Sequence, residues 1–213
     1  MTGFSVARSE LILGGQKSGK SRRAEALAQQ WLAQSDAHRA GLLATARAGD
    51  AEMRQRIKRH QQDRAQRLPG LTAVEEPLRL AEAIGAHSGP DTLVLVDCLT
   101  LWLTNWLMPA HAAENGLDVV PAVDTGRSGN VMNNQAVAHV ENVGIAIILD
   151  AISSAPGPVV LVGNEIGLGV IPMGAEVRAF VDALGVLNQA VAQVCQRVTL
   201  MAAGLPLTLK DAA

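Results

Sequence analysis

Gly14-Gly15-Gln16-Lys17-Ser18-Gly19-Lys20-Ser21 is the stretch of this chain best equipped for chemistry, because it meets G-x-x-x-x-G-K-[ST] at every fixed position. Glycines let successive backbone N–H groups turn inward around phosphates, and a following helix N-terminus adds partial positive charge. Lys20 would reach the β- and γ-phosphates, and the Ser21 hydroxyl would ligate Mg²⁺. The flanks suit that role: Leu11-Ile12-Leu13 is strand-like, and Arg22 to Ala33 is rich in Ala, Leu and Gln. Strand, glycine-rich turn and helix in that order weigh against a chance Lys-Ser after a turn, and imply binding of a nucleoside triphosphate.

Leu93-Val94-Leu95-Val96-Asp97 is an apolar run that ends in an acid. The carboxyl ends of parallel strands open onto the ligand crevice, so Asp97 would face the phosphates and hold Mg²⁺, directly or through water, opposite Ser21. A strand-ending Asp also serves as an ordinary turn or cap residue. Between these motifs lies a charge-rich stretch from Asp50 to Arg64. At helical spacing Arg56, His60 and Arg64 share a face. Two guanidiniums disfavour an imidazolium between them, and a neutral imidazole flanked by phosphate-binding cations suits attack on phosphorus. The same pattern equally describes a solvated face on which His60 does nothing.

These groups need a scaffold. Strand-like runs fall at Leu11–Leu13, Thr92–Val96 and Val159–Val162, with weaker ones at Gly41–Ala44 and Val198–Met201. Helical patterns lie between them, at Ser21–Ala33, Asp50–Gln66, Pro77–Ala86, Asn134–Ser153 and Glu176–Gln196. That alternation predicts one α/β domain over 1–213, a P-loop NTPase fold whose mostly parallel sheet carries helices on both faces. His111 to Asn133, rich in Gly, Asn, Asp, Pro and Val without a period, reads as an irregular excursion or a helix hairpin of unreadable pattern.

Composition narrows the partners. Apolar residues make up 48 % of the 213 and charged ones 18 %, enough for a sizeable core. A net charge of −2, three Trp, two Phe and no Tyr give neither the basic footprint nor the stacking platform of a nucleic-acid binder. Cys98 and Cys195 stand alone in apolar settings and read as reduced core thiols. With no signal-like segment and no run of membrane-spanning length, the expectation is a soluble cytoplasmic enzyme.

Taken together, the motifs resemble the bifunctional adenosylcobinamide kinase / adenosylcobinamide-phosphate guanylyltransferase family of cobalamin biosynthesis. The resemblance runs from about Glu10 to Lys210. It is carried by GGQKSGKS at Gly14–Ser21, Ala44-Thr45, RIKRHQQDR at Arg56–Arg64, VEEP at Val74–Pro77, DCLTLWLTN at Asp97–Asn105, GNEIGLGVIP at Gly163–Pro172 and LNQ at Leu187–Gln189. It implies a RecA-like P-loop fold, ATP and GTP as substrates with Mg²⁺, a corrinoid acceptor (adenosylcobinamide and its phosphate), and a homo-oligomer, a trimer. His60 falls where the family histidine becomes guanylylated, and Gln61, Gln62, Asp63 and Arg64 where nucleotide contacts continue. Thr45, Ala46 and Arg47 match a further nucleotide segment, Glu75 and Asp97 match acidic nucleotide-binding positions, and Gly14–Ser21 matches the GTP phosphate loop. Leu71 departs from the family's usual aromatic, and Gly185-Val186-Leu187 from its usual Gly-Arg before Asn-Gln. Two other readings of the same motifs are a P-loop kinase for another small metabolite, with His60 merely solvated, and a RecA-like ATPase or nucleotide-binding module.

Overall fold

Side-chain alternation along the central strands sorts the core into two layers. On β1 (Ser9–Gly14), Leu11 and Leu13 enter one apolar cluster while Ile12 enters the other. β4 (Thr92–Asp97) divides in the same way, Val94 and Val96 from Leu93 and Leu95, as does β5 (Val159–Val162), Val159 and Leu161 from Val160 and Val162. Strands buried on both faces read as continuous apolar runs, which is why these three stand out in the sequence. The computed structural model describes residues 5–47, 51, 54, 55, 58, 59, 62, 67–107 and 134–212.

β2 (Arg39–Ala44), β3 (Leu71–Glu75), β6 (Arg197–Ala202) and β7 (Leu205–Asp211) complete a sheet of order β3-β2-β4-β5-β1-β6-β7. Every neighbouring pair is parallel except β6 with β7. This is the mostly parallel P-loop sheet that the sequence predicts. α1 (Lys20–Gln34) packs Ala24, Leu27 and Ala28 on one face, joined there by Leu68. α2 (Leu80–His87), α3 (Leu99–Leu107), α4 (Asn134–Ser154) and α5 (Ala175–Val194) cover the other face through residues such as Ile84, Trp102, Ile148 and Leu187. Among the described residues no helix is long and apolar enough to cross a membrane, and both cysteines are buried free thiols.

The structure adds three elements to the sequence reading. β3 is an edge strand with Thr72, Ala73 and Glu75 exposed, so it lacks the apolar run of its neighbours. β7 carries Pro206, tolerated because the strand lies at the other edge, and it turns back from β6 through Ala203 and Gly204, both at positive φ. α3 is short, and its sequence is the motif after Asp97. α2 begins at Leu80 rather than Pro77, because the Glu76 carboxylate accepts from the Leu78 and Arg79 amides (3.0 and 2.7 Å) and holds the chain outside the helix. The stretch 111–133 lies outside the described residues.

A buried ion cluster joins the first strand to α1 and to its neighbour β6. Glu10, wholly buried, accepts from Arg23 Nε and Thr199 Oγ1, each at 2.8 Å, and Arg197 Nη1 lies 3.5 Å from its other oxygen. Arg23 stands on α1 and Thr199 on β6, so one carboxylate ties three elements together. Glu10→Ala takes a buried carboxylate away from Arg23 and Arg197, the latter still paired with Asp211 at 3.1 Å, and should cost about 3 kcal/mol in chemical denaturation. Glu10→Gln, which keeps an acceptor for Thr199, should recover part of that loss.

Candidate functional site

The loop after β1 is shaped by three residues at positive φ: Gly14 (150°), Lys17 (58°) and Gly19 (102°). Gly14 has no substitute, because a Cβ there would lie 2.5 Å from the Met201 carbonyl oxygen and 2.6 Å from Ser18 Oγ. Ser18 N donates to Gly15 O (3.3 Å), Gly204 N donates to Ser18 O (3.0 Å), and the β6–β7 turn thereby braces the loop from behind. α1 then starts on Gly19 with no side-chain cap and no acid in its first turn. Its leading N–H groups and its positive end are left for an external anion.

Lys20 donates to the main-chain carbonyls of Gly14 (2.9 Å) and Gly15 (2.7 Å). Burial pulls its pKa below the ordinary lysine value, while the nearby Cys98 and Asp97 act the other way. The Cys98 thiol is pushed up, chiefly by burial. Lys20, which opens α1 just after β1, and Asp97, the last residue of β4, therefore lie near each other at one end of the sheet.

The other expected residues fall along that same carboxyl edge. Ala44 is in register with both Glu75 and Asp97, and Asp97 with Val162. From Gly14 on β1 to Glu75 on β3 the row crosses four strand spacings, roughly 19 Å. Glu75 is exposed at its far end. Thr45 is fully buried, and its hydroxyl donates to Cys98 O and accepts from Cys98 N, both at 2.7 Å. Its side chain thus joins β2 to the end of β4. Arg47, two residues on, is half-buried, and its Nε and Nη2 are shut off from water with no hydrogen-bond partner among the described residues. A buried cation group without a partner is what an anionic ligand would complete.

Ser21 and Asp97 offer two hard oxygen donors at the phosphate end, and no group of three His, Cys, Asp or Glu gathers among the described residues. That donor set fits an ion that takes most of its ligands from phosphate oxygens and water, as Mg²⁺ does. His60, Gln61, Asp63, Arg64 and Arg56 lie outside the described residues; Gln62, like Arg54, Gln55, Lys58 and Arg59, is helical and exposed.

Some polar residues that brace the site have no assigned role in the sequence reading. Asn105 Nδ2 donates to Thr45 O (2.8 Å) and Pro77 O (3.1 Å). Thr100 and Asn188 bond the backbone of Asn164, and Glu165 N donates to Gly14 O at 3.1 Å. Their signal is a polar residue at a core position of an apolar helix, visible only once the buried face is known. Of the two family departures, Leu71 opens β3 opposite Ala40, and Val186 is an exposed residue of α5.

A family model described as cobinamide kinase / cobinamide phosphate guanyltransferase matches residues 10–209. The chain is 41 % identical over 202 residues to the bifunctional adenosylcobalamin biosynthesis protein CobP of Pseudomonas aeruginosa, across 94 % of this chain and 96 % of that one. Proteins of the same description named CobU, from Escherichia coli and Salmonella typhimurium, are 33 % and 32 % identical over 200 and 201 residues, each across 94 % of this chain and 98 % of theirs.

The buried Lys20 makes a sign-specific prediction. Its folded pKa is lowered, so without ligand its charge carries a cost that is full below that pKa and fades as pH rises to the ordinary lysine value. The stability of the wild type relative to Lys20→Met should therefore rise with pH across that interval, read from thermal midpoints in the absence of nucleotide.

Proposed function

Because the chain belongs to the cobinamide kinase / cobinamide phosphate guanyltransferase family, we propose that it carries out both reactions on a corrinoid. In the first, the hydroxyl oxygen of the aminopropanol arm of adenosylcobinamide attacks the γ-phosphorus of ATP or GTP. The nucleoside diphosphate leaves and the hydroxyl proton is lost. In the second, a ring nitrogen of His60 attacks the α-phosphorus of GTP, pyrophosphate leaves, and a His60–GMP phosphoramidate forms. A phosphate oxygen of adenosylcobinamide phosphate then attacks that phosphorus, giving adenosylcobinamide-GDP and free His60.

The observation that carries the reading is the start of α1, uncapped and without an acid, beside an ammonium that rests only on loop carbonyls. Polyphosphate can take over both the amides and Lys20. Mg²⁺ held by Ser21 and Asp97 would neutralise charge on the phosphate oxygens. Arg47, with two guanidinium nitrogens unpartnered among the described residues, suits an oxygen of the α-phosphate. Glu75, at the far end of the strand-edge row, suits the nucleoside end.

The acceptor is large and partly apolar. After Glu165 the chain exposes Leu168, Val170, Ile171 and Met173, with Val170 96 % and Met173 97 % accessible. This run is rooted at the phosphate loop through the Glu165–Gly14 bond, so a macrocycle lying on it keeps its arm near the γ-phosphate. Exposed Leu205, Leu207 and Leu209 on the edge strand β7 supply apolar surface for a homo-oligomer, which we take to be a trimer. The reading puts the reaction in the cytoplasm, where its nucleotides are.

With GTP labelled at the α-phosphate and Mg²⁺, denatured protein should retain acid-labile, base-stable label. Neither γ-labelled GTP nor the His60→Ala variant should give any. Absence of α-label in protein that binds GTP would leave a small-metabolite kinase. Separately, Val170→Asp combined with Ile171→Asp should raise KM for the corrinoid by about tenfold or more, as loss of apolar contact with two side chains implies, while α-labelling of His60 stays intact.

A further inference from the structure

Asn188 is an expensive residue for its place. It stands in the interior of α5 between the buried Leu184, Leu187 and Val191, is only 5 % exposed, and leaves its Oδ1 without a hydrogen-bond partner among the described residues. Asn is a mediocre helix former, and a buried orphan acceptor is unfavourable. A leucine would serve the core better. What Asn188 supplies is a donor: Nδ2 to the Asn164 carbonyl at 3.1 Å. From α3, the buried Thr100 takes the other side of the same residue, its Oγ1 accepting from Asn164 N at 2.8 Å. Gly163 lets α5 come close, since a Cβ there would already lie 3.4 Å from Asn188 Oδ1 and 3.1 Å from Leu13.

The backbone of Asn164 is thus held from two helices just after β5, and the next amide does the work at the phosphate loop. Glu165 N donates to Gly14 O, the carbonyl on which Lys20 also rests. For Lys20 to move onto a polyphosphate it must leave both its carbonyls. Gly15 O keeps Ser18 N as a donor, and Gly14 O keeps Glu165 N, provided that the turn holding Glu165 stays in place. We propose that Asn188, with Thr100, is a positioning residue for polyphosphate binding: the pair fixes the Asn164–Glu165 turn so that Lys20 is released from Gly14 without orphaning that carbonyl. The inference rests on polyphosphate binding at the phosphate loop and not on the identity of the acceptor.

The test is calorimetric titration of Asn188→Leu, Thr100→Val and the double variant with Mg²⁺-pyrophosphate, and with guanosine as a ligand that lacks phosphate. Each single change should weaken pyrophosphate binding by about fivefold to tenfold, the scale of one hydrogen bond, and leave guanosine binding within twofold. The double variant should lose less than the two singles combined, because both act on one peptide segment. Unchanged pyrophosphate affinity in folded Thr100→Val overturns the proposal, even where Asn188→Leu does not fold. Equal loss for pyrophosphate and guanosine also overturns it, because that marks general damage to the fold. A wild-type chain that binds guanosine and not pyrophosphate removes the phosphate-loop premise, and the proposal with it.

Discussion

The carbonyl of Gly14 is where the constraints of this molecule converge. It ends the strand that lies between β5 and β6, and it accepts from both Lys20 Nζ and Glu165 N. Its residue sits at φ 150° where β6 leaves no room for a side chain. A polar group that must stay bonded while its cationic partner moves away needs a second donor. Much of the surrounding structure can be understood as supplying it: β5 brings Glu165, α3 and α5 steady the residue before it, and the β6–β7 turn closes the loop from the other side.

Charge is managed differently at the two ends of β1. Near its start, Glu10 is wholly buried and bonded to Arg23, Arg197 and Thr199, a cluster that binds α1 and β6 to β1. At its end the ammonium of Lys20 is partly desolvated and, among the described residues, bonded to the neutral carbonyls of Gly14 and Gly15 with Asp97 further off. Paired charge in the first case gives rigidity. Under-compensated charge in the second, beside an uncapped helix terminus, is the arrangement an anion would complete. The Arg47 nitrogens that have no partner among the described residues follow the second pattern.

The parallel sheet converts these local devices into a site. Because β1, β2, β3, β4 and β5 all run the same way, residues at or just beyond their last positions share one edge: Gly14, Thr45, Glu75, Asp97 and Asn164. Side-chain bonds across that edge, Thr45 with Cys98 and Asn105 with Thr45 and Pro77, hold the strand ends in fixed relation. Such prior ordering means that little structure has to be bought at the moment of binding.

The family and the P-loop sheet were legible in the sequence because each depends on local chemistry. A glycine-lysine-serine spacing, an apolar run buried on both faces and a run of helix formers leave their pattern in consecutive residues. Edge strands do not, since one face or one rim is wet and the apolar period breaks; β3 and β7 were invisible for that reason. The start of α2 was misplaced because the Glu76 carboxylate, a side chain, decides it. Nor could spacing reveal that Thr45 is spent on Cys98, that Arg47 has two buried nitrogens without a partner among the described residues, or that Asn188 reaches the turn beside the glycine-rich loop. Thr45 and Cys98 are 53 positions apart and Asn188 and Asn164 are 24 apart, and only the packing of strands and helices decides which polar groups meet.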